Sequence, residues 1–182
     1  MKRDKKQVLT ELLIYKAQGG DERAFADLYE LWRIDILKFA RSLLNDRDGM
    51  EEASQEAWVA IARSLRRLED PARFRAWAFC LLRRKCVDWI RKSARDRKRE
   101  KEFLNLSEEN AAQTPQRESD AKTILIESIQ KLDTNERLLL HCYYEQGLSM
   151  AELSETFEIP VGTVKSRLHA VRETLRTLIE RK

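Results

Sequence analysis

The chain has 182 residues, of which 42% are apolar and 36% charged, with only five Gly and three Pro. This composition favours helices with solvated outer faces and argues against a Gly-rich all-β fold. No apolar run approaches the roughly 20 residues that a membrane span requires, and the basic start of the chain lacks the apolar core of a signal peptide. We therefore expect an all-α protein that stays in the cytoplasm, without membrane insertion.

The cysteines suggest neither a metal site nor a disulfide framework. Cys80, Cys86 and Cys142 are odd in number, widely spaced and without a C-x-x-C pair. A thiol enzyme built on Cys142 beside His141 is one alternative, but neighbours on a helix point about 100° apart and do not face each other. We expect reduced, mostly buried thiols, no metal, no cofactor and no catalytic group.

Two helices are predicted at the start of the chain. A short amphipathic helix over 8–17 ends at Gly19-Gly20. Asp21 is expected to cap a longer helix at its N-terminus. The apolar stripe of that helix steps by three and four residues: Phe25, Leu28, Trp32, Ile36, Phe39 and Leu43.

A third helix is predicted between Asn45-Asp46 and about Arg67, with a regular inner face. That face consists of Ala53, Ala57, Ile61 and Leu65. Asp70-Pro71 then provides an N-cap with Pro in the first turn. The helix that it begins can continue to Phe103, because no Gly or Pro interrupts the sequence.

The stretch 105–120 is predicted to be a flexible linker. It loses periodicity, contains Pro115 and carries four acids against one Arg. The chain is thereby divided into a first domain over 1–104 and a second over 121–182.

The second domain is predicted to contain a helix-turn-helix. After a helix around 124–132, Asp133 and Glu136 form a capping-box pattern, and the helix that follows ends at Gly147. Ser149 and Glu152 repeat the pattern before a short helix, a turn through Pro160 and a final long helix. The positions expected to be buried in the final helix are Val161, Val164, Leu168, Val171 and Leu175.

Positive charge is concentrated between Arg83 and Lys101. This stretch contains ten Lys or Arg and three acids, so its local net charge is +7. A phosphate chain is the natural counter-ion of such a helix. A solvated helical face explains the charge run alone about as well. The aromatic residues Trp77, Phe79 and Trp89 favour nucleic acid modestly, since they could stack on unpaired bases, although core packing explains each one singly.

A second candidate surface lies on the preceding helix, where Glu51, Gln55 and Trp58 share a face between Glu52 and Glu56. A large aromatic residue among acids on an outward side is typical of a protein-docking surface. Core packing of Trp58 is the alternative.

The final helix carries a polar face opposite its apolar stripe, and in a helix-turn-helix this face enters the major groove. Lys165 and Arg167 are suited to phosphates or guanine, and Ser166 and His169 to base edges. The face and its flanks consist of Gly162, Lys165, Ser166, His169 and Arg176, with Arg167 and Arg172 beside them.

These motifs resemble those of extracytoplasmic-function sigma factors, of the sigma-70 family. The run 162–169 (GTVKSRLH), preceded by 145–153 (EQGLSMAEL), is similar to the family's recognition-helix motif. The run 51–58 (EEASQEAW) resembles its polymerase-clamp-binding helix, and 74–77 (FRAW) through 87–92 (VDWIRK) its promoter-melting helix. The matches lie in the expected order and together cover nearly the whole chain.

The resemblance implies two small helical domains, region 2 and region 4, on a flexible linker, and implies a role for each motif. Core RNA polymerase, through its clamp helices and flap, is the expected protein partner. Its contacts would be Glu51, Glu52, Gln55, Glu56 and Trp58. The separated minus-10 strand would be held by Arg67, Arg73, Arg75, Trp77, Arg84, Arg91 and Lys92. The duplex minus-35 element would be read by Thr163, Lys165, Ser166, Arg167, His169 and Arg172.

The resemblance also implies regulation by a separate partner, commonly an anti-sigma protein. A helix-turn-helix regulator that acts without polymerase is the main rival. It needs only the part of the chain after residue 120 and leaves the basic helix and the 51–58 surface unexplained.

Overall fold

The computed structural model describes residues 5–44, 46–104 and 121–180, and every regular element in these ranges is helical, as predicted. The predicted linker 105–120 lies outside the described residues. The helices are α1 (Lys5–Gln18), α2 (Glu22–Leu43), α3 (Arg47–Ser64), α4 (Phe74–Leu104), α5 (Ala121–Gln130), α6 (Thr134–Leu140), α7 (Met150–Phe157) and α8 (Val161–Glu180). Short 3₁₀ turns, Leu65–Arg67 and Pro71–Arg73, join α3 to α4, and a π-helical turn, His141–Glu145, continues α6.

The first four helices pack around the predicted stripe of α2. The Asp21 carboxylate caps α2 by accepting the N–H groups of Arg23 and Ala24 at 3.0 and 3.1 Å. Trp32 is buried, and its indole N–H donates to Thr10 Oγ1 at 2.9 Å, so that α1 is fixed to α2 by a satisfied internal hydrogen bond. The whole predicted stripe is buried except Phe25, which is partly buried against the core.

Helices α3 and α4 approach closely where Gly49 faces Trp89. A Cβ atom added to Gly49 would lie 2.5 Å from Cε2 and Cζ2 of the indole ring. Two ion pairs join the same helices: Lys92 to Glu52 at 2.9 Å and Lys85 to Glu56 at 3.1 Å. The small residue in α3 is therefore required by the neighbouring helix.

We expect Gly49→Ala to lower the free energy of unfolding by about 1–3 kcal/mol, because the added methyl must displace the indole of Trp89. Gly162→Ala is the matched control: its added Cβ would meet nothing within 4 Å. That control should stabilise slightly, by at most about 1 kcal/mol, since Ala favours helix over Gly. Urea unfolding measures both; equal midpoints would contradict the close packing.

The second half of the chain forms the predicted helix-turn-helix. Both capping boxes are present, Asp133 with Glu136 before α6 and Ser149 with Glu152 before α7. Val164, Leu168 and Val171 of α8 are buried as expected. The expected burial of Val161 is wrong, since it is 40% exposed. It begins α8, and a helical side chain leans toward the helix N-terminus, here away from the packed turns.

The two halves pack against each other, with α7 on α4 and α6 on α2. Thr156 of α7 is fully buried, and its hydroxyl donates to the carbonyl oxygen of Ala76 at 3.4 Å. Arg83 Nε donates to the carbonyl oxygen of Thr156 at 3.0 Å. The ring centroids of Phe39 and His141 lie 6.5 Å apart. This packing of the two halves was not predicted from the sequence.

Candidate nucleic-acid and protein interfaces

The outward face of α8 presents four polar side chains to solvent. Lys165, Ser166, Arg167 and His169 are exposed, and Thr163 is half-buried. Ser166 Oγ donates to the Thr163 carbonyl oxygen at 3.0 Å, one turn back in the same helix. The exposed face therefore combines two cations with hydroxyl and imidazole groups, the types that reach phosphates and base edges in a major groove.

Arg172 differs from the other predicted minus-35 contacts because it has aromatic partners. Its Nε donates to the Tyr144 hydroxyl at 2.9 Å, and its guanidinium carbon lies 5.5 Å from the ring centroid of Tyr143. The hydrogen bond to Tyr144 raises the pKa of Arg172. Arg172 therefore joins α8 to the π-helical turn, a role that was not predicted from the sequence.

The predicted minus-10 arginines of α4 and its preceding turn lie against acids of α7. Arg73 pairs with Glu155 at 2.7 Å. Arg75 meets Glu152 through two hydrogen bonds, Nε to Oε1 at 3.0 Å and Nη2 to Oε2 at 2.9 Å.

Glu158, which directly follows α7, is the third acid in this contact, beside Glu152 and Glu155. Arg84 pairs with Glu158, and Arg83 joins the same carboxylate at 3.0 Å. The hydrogen bond from Arg84, with the charge of Arg83, holds the pKa of the Glu158 carboxyl below its usual value. Arg83 was not among the predicted minus-10 contacts, and its pairing was not visible in the sequence.

The remaining predicted minus-10 residues are dispersed. Arg67 and Arg91 are exposed, and Trp77 is half-buried with its ring centroid 6.0 Å from that of Phe74. Lys92 turns instead toward α3, where its ion pair with Glu52 raises the pKa of Lys92. A predicted DNA contact and a predicted polymerase contact thus bind each other.

Phe79 packs in the core, which was the alternative to stacking on a base. Its ring is fully buried and stacks on Phe39, with centroids 4.7 Å apart and an interplanar angle of 19°. It is therefore unavailable to an unpaired base. Trp77 and Trp89 are half-buried.

The outward face of α3 carries Glu51, Gln55 and Glu56, all exposed, with Glu52 half-buried beside them. The outward orientation predicted for Trp58 is wrong, because this side chain is only 8% exposed.

Two aromatic neighbours from α2 cover Trp58. Its ring lies edge-on to Phe25 and Tyr29, at centroid distances of 6.2 and 4.9 Å. The large apolar side chain that α3 exposes is that of Val59, at 48%. Val59 follows Gln55 by four residues and so shares its face. This spacing is the sequence signal that could have identified Val59 in place of Trp58.

The three cysteines are buried thiols. Burial raises the pKa of Cys86 to about 12 and also raises those of Cys80 and Cys142. Such thiols stay protonated and are poor nucleophiles. Within the described ranges, no group of His, Cys, Asp and Glu is arranged to hold a metal ion, and none of the helices has the length and apolar character to cross a membrane.

The fold and the exposed basic face of α8 define a helix-turn-helix DNA-binding protein. Two family models match the chain: "Sigma-70 region 2" over residues 28–96 and "Sigma-70, region 4" over residues 128–177. The chain therefore belongs to the sigma-70 family, as an extracytoplasmic-function sigma factor that directs promoter-specific transcription initiation with RNA polymerase.

Relatives and solved structures agree over nearly the whole chain. The extracytoplasmic-function sigma factor SigW of Bacillus subtilis is 26% identical over 180 residues, covering 93% of this chain and 96% of SigW. SigM of the same organism is 24% identical over 155 residues, covering 85% of this chain and 94% of SigM.

Among solved structures, CnrH in complex with the cytosolic domain of CnrY is 25% identical with a TM-score of 0.68, covering 96% of this chain and 99% of CnrH. RpoE of Bartonella quintana, solved with the anti-sigma factor NepR, shares the fold at a TM-score of 0.66 and 22% identity, covering 86% of this chain and 96% of RpoE.

Proposed function

We propose that this sigma factor divides promoter recognition between a region 2 domain over 1–104 and a region 4 domain over 121–182, joined by a flexible acidic linker over 105–120. The first domain docks on the clamp helices of core polymerase and holds the minus-10 strand. The second contacts the flap and reads the minus-35 element. The observation that supports this division best is the exposed polar face of α8, opposite a buried apolar stripe.

The polymerase dock is proposed on the outward face of α3, with Glu51, Glu52, Gln55 and Glu56 as its polar contacts and Val59 as its apolar centre. Val59 and Gln55 are exposed and one turn apart, whereas Trp58 supports the face from beneath. An apolar centre within a polar rim is the usual anatomy of a protein interface.

We expect Gln55→Ala combined with Val59→Ala to weaken binding to core polymerase by roughly tenfold or more, since central interface residues are each typically worth about 1–2 kcal/mol. Helical content should be unchanged, because both side chains are exposed. Pull-down of purified core polymerase with the full chain measures the loss. A double variant on α2, Ile34→Ala with Leu37→Ala, removes two other exposed apolar side chains as the control. Equal capture of all three proteins would place the dock elsewhere.

The minus-10 strand is proposed to bind the arginine side of α4 and its preceding turn. Arg73, Arg75, Arg84 and Arg91 supply charge for the phosphates, and the half-buried Trp77 supplies a ring edge for a base. Arg67, exposed in the turn after α3, is assigned to the same set. Lys92 is also assigned to this set, although it forms an ion pair with Glu52.

Runoff transcription on random-promoter DNA, with core polymerase in the presence and absence of this protein, tests the proposal as a whole. We expect discrete transcripts only when the protein is added. Specific binding to duplex DNA with no effect on transcription would favour the rival helix-turn-helix regulator.

The chemistry of RNA synthesis belongs to the polymerase, so no catalytic residue is assigned to this chain. Action on polymerase and promoter DNA places the protein in the cytoplasm. CnrH and RpoE of Bartonella quintana were solved with CnrY and with the anti-sigma factor NepR, respectively. An anti-sigma protein is accordingly proposed as a partner here.

A further inference from the structure

We propose that Gln18, the last residue of α1, is a positioning residue for the minus-10 strand. Its side-chain amide fixes the backbone of the turn 65–68, which presents Arg66 and Arg67 to solvent. The proposal rests on the assignment of Arg67 to the minus-10 strand and adds Arg66 beside it. Helix α1 thereby takes part in promoter recognition without contacting DNA.

Two hydrogen bonds from one amide group hold the turn. Gln18 Nε2 donates to the carbonyl oxygen of Leu65 at 2.9 Å and to that of Leu68 at 2.8 Å. The Leu68 N–H donates to the same Leu65 carbonyl oxygen at 3.0 Å. Because a side-chain amide has two N–H groups, this pair of bonds uses its whole donor capacity. Both ends of the turn are therefore held by one side chain, 47 and 50 residues away in sequence.

The turn needs an external donor because α3 ends without a glycine cap. The last carbonyl groups of a helix lack partners within it, and a left-handed residue, usually Gly, commonly places N–H groups on them. The structure describes the whole stretch from Ser64 to Arg73, and none of its residues adopts a positive φ. Leu68 is extended instead, with φ of −76° and ψ of 100°. The Gln18 amide thus replaces the donors of a glycine cap.

The next part of the connection is held by its own residues. The Asp70 carboxylate accepts the N–H of Ala72 at 3.0 Å, and the Asp70 carbonyl oxygen accepts that of Arg73 at 3.0 Å. The ring of Pro71 fixes its backbone φ. Loss of the Gln18 amide should therefore free the turn 65–68 and leave the cap at Asp70 intact.

Gln18 can fix the turn because its own backbone is fixed. Ile14, one helical turn earlier, is fully buried, and Gly20, with φ of 99°, reverses the chain just after α1. The Gly20 N–H donates to the Ala17 carbonyl oxygen at 3.0 Å. Gln18 itself is half-buried, which limits the access of water to its two hydrogen bonds.

The turn divides its side chains between the core and solvent. Leu65 and Leu68 are buried, whereas Arg66 and Arg67 between them are exposed. A fixed backbone limits the conformations of two long side chains, so fewer are lost when a strand binds. If the freed turn keeps the binding-competent arrangement in about one molecule in five, the apparent affinity for the strand falls about fivefold.

The variants separate hydrogen-bond donation from side-chain size. Gln18→Met has a similar length but no N–H donor, whereas the ammonium group of Gln18→Lys has three and can still bind the carbonyl oxygens. The same two changes at Gln7 are the controls for size and for added charge. Gln7 is half-buried on the same helix, about three turns before Gln18, and donates to Glu11 at 3.2 Å.

Holoenzyme assembled from core polymerase and each full-length variant is titrated with a labelled forked minus-10 template, followed by fluorescence anisotropy. We expect Gln18→Met to bind about fivefold more weakly than wild type, and Gln7→Met to bind equally well. Gln18→Lys should bind within about twofold of Gln7→Lys, because it restores the donors. Urea unfolding gives the folded fraction of each variant, so that loss of affinity is not confused with loss of structure.

A double-mutant cycle with Arg66→Ala/Arg67→Ala detects positioning, which a merely structural role would not produce. The arginine variant should bind the fork roughly tenfold more weakly, since two cations are lost. In that background Gln18→Met should add less than about twofold, because the groups that it positions are gone. Losses that multiply in the triple variant would overturn the proposal.

Failure of the strand assignment gives a different result. If holoenzyme with Arg66→Ala/Arg67→Ala binds the fork as tightly as wild type, these arginines do not hold the minus-10 strand, and the positioning role fails with the assignment. If the arginine variant binds weakly but folded Gln18→Met binds like wild type, the assignment stands and the positioning role alone is overturned.

Discussion

Trp58→Ala is expected to destabilise the first domain strongly, with any loss of polymerase binding following from the loss of structure. Its side chain is 8% exposed and lies edge-on to Phe25 and Tyr29 of the neighbouring helix. Truncation of a buried tryptophan to Ala typically costs about 3–5 kcal/mol. A whole small domain is stable by only about 5–15 kcal/mol, so this single change removes a large part of the total.

Val59→Ala is the control for this experiment because it changes the adjacent residue on the same helix. Val59 is 48% exposed, and we expect its truncation to alter stability by no more than about 0.5 kcal/mol. Urea unfolding followed by far-ultraviolet circular dichroism measures both variants. A Trp58→Ala protein with the wild-type midpoint and impaired polymerase capture would instead identify the indole as a direct contact.

The error over Trp58 illustrates what helical periodicity can and cannot determine. A pattern of three and four residues gives the angular position of a side chain around its own helix, and Trp58 lies beside the inner stripe that includes Ala57 and Ile61. How far the buried zone extends around the helix depends on the neighbouring helix. Here Phe25 and Tyr29 of α2 extend it by one position and enclose the indole.

Features set by local chemistry were predictable in detail. Asp21 caps α2, and Ser149 forms the reciprocal capping box with Glu152 as its sequence pattern indicates. Each of these interactions joins residues within three positions, so one short stretch of sequence contains both partners. The same reasoning explains why the helix-turn-helix and the polar face of α8 were predicted correctly.

Features that depend on the second domain's position were not predictable. Arg75 and Glu152 are separated by 77 residues, and Arg84 and Glu158 by 74. Each of these side chains, viewed alone, is an ordinary charged residue on a helix surface. Only the packing of α7 on α4 shows that the acids of one domain neutralise the arginines of the other. The basic run of α4 predicted an anion partner, but it could not show that the chain itself supplies a carboxylate, that of Glu158, to Arg83 and Arg84.

The largest effect on promoter binding is expected from Lys165→Ala combined with Arg167→Ala. Both side chains are exposed cations on the outward face of α8, where we propose that they bind DNA phosphates. Loss of two phosphate contacts should weaken binding to every duplex by roughly tenfold or more and reduce the salt dependence by about two phosphates' worth. Anisotropy titrations of the full chain at several salt concentrations measure both quantities. An unchanged salt slope would show that neither cation contacts the backbone.

His169→Ala is expected to act differently, because His169 is exposed one turn after Lys165 and we propose that its imidazole contacts base edges. Loss of a base contact typically costs about 1–3 kcal/mol at one base pair and leaves other positions unaffected. Ser166→Ala should change the preferred minus-35 sequence in the same manner.

Ala170→Arg would add a hydrogen-bond donor for guanine. Asp133 and Glu136 line the same small surface pocket as Ala170, so their carboxylates will compete with DNA for the new guanidinium. Selection from a randomised minus-35 library compares the variants. Identical sequence preferences for wild type, His169→Ala and Ser166→Ala would mean that this face of α8 binds DNA without reading it.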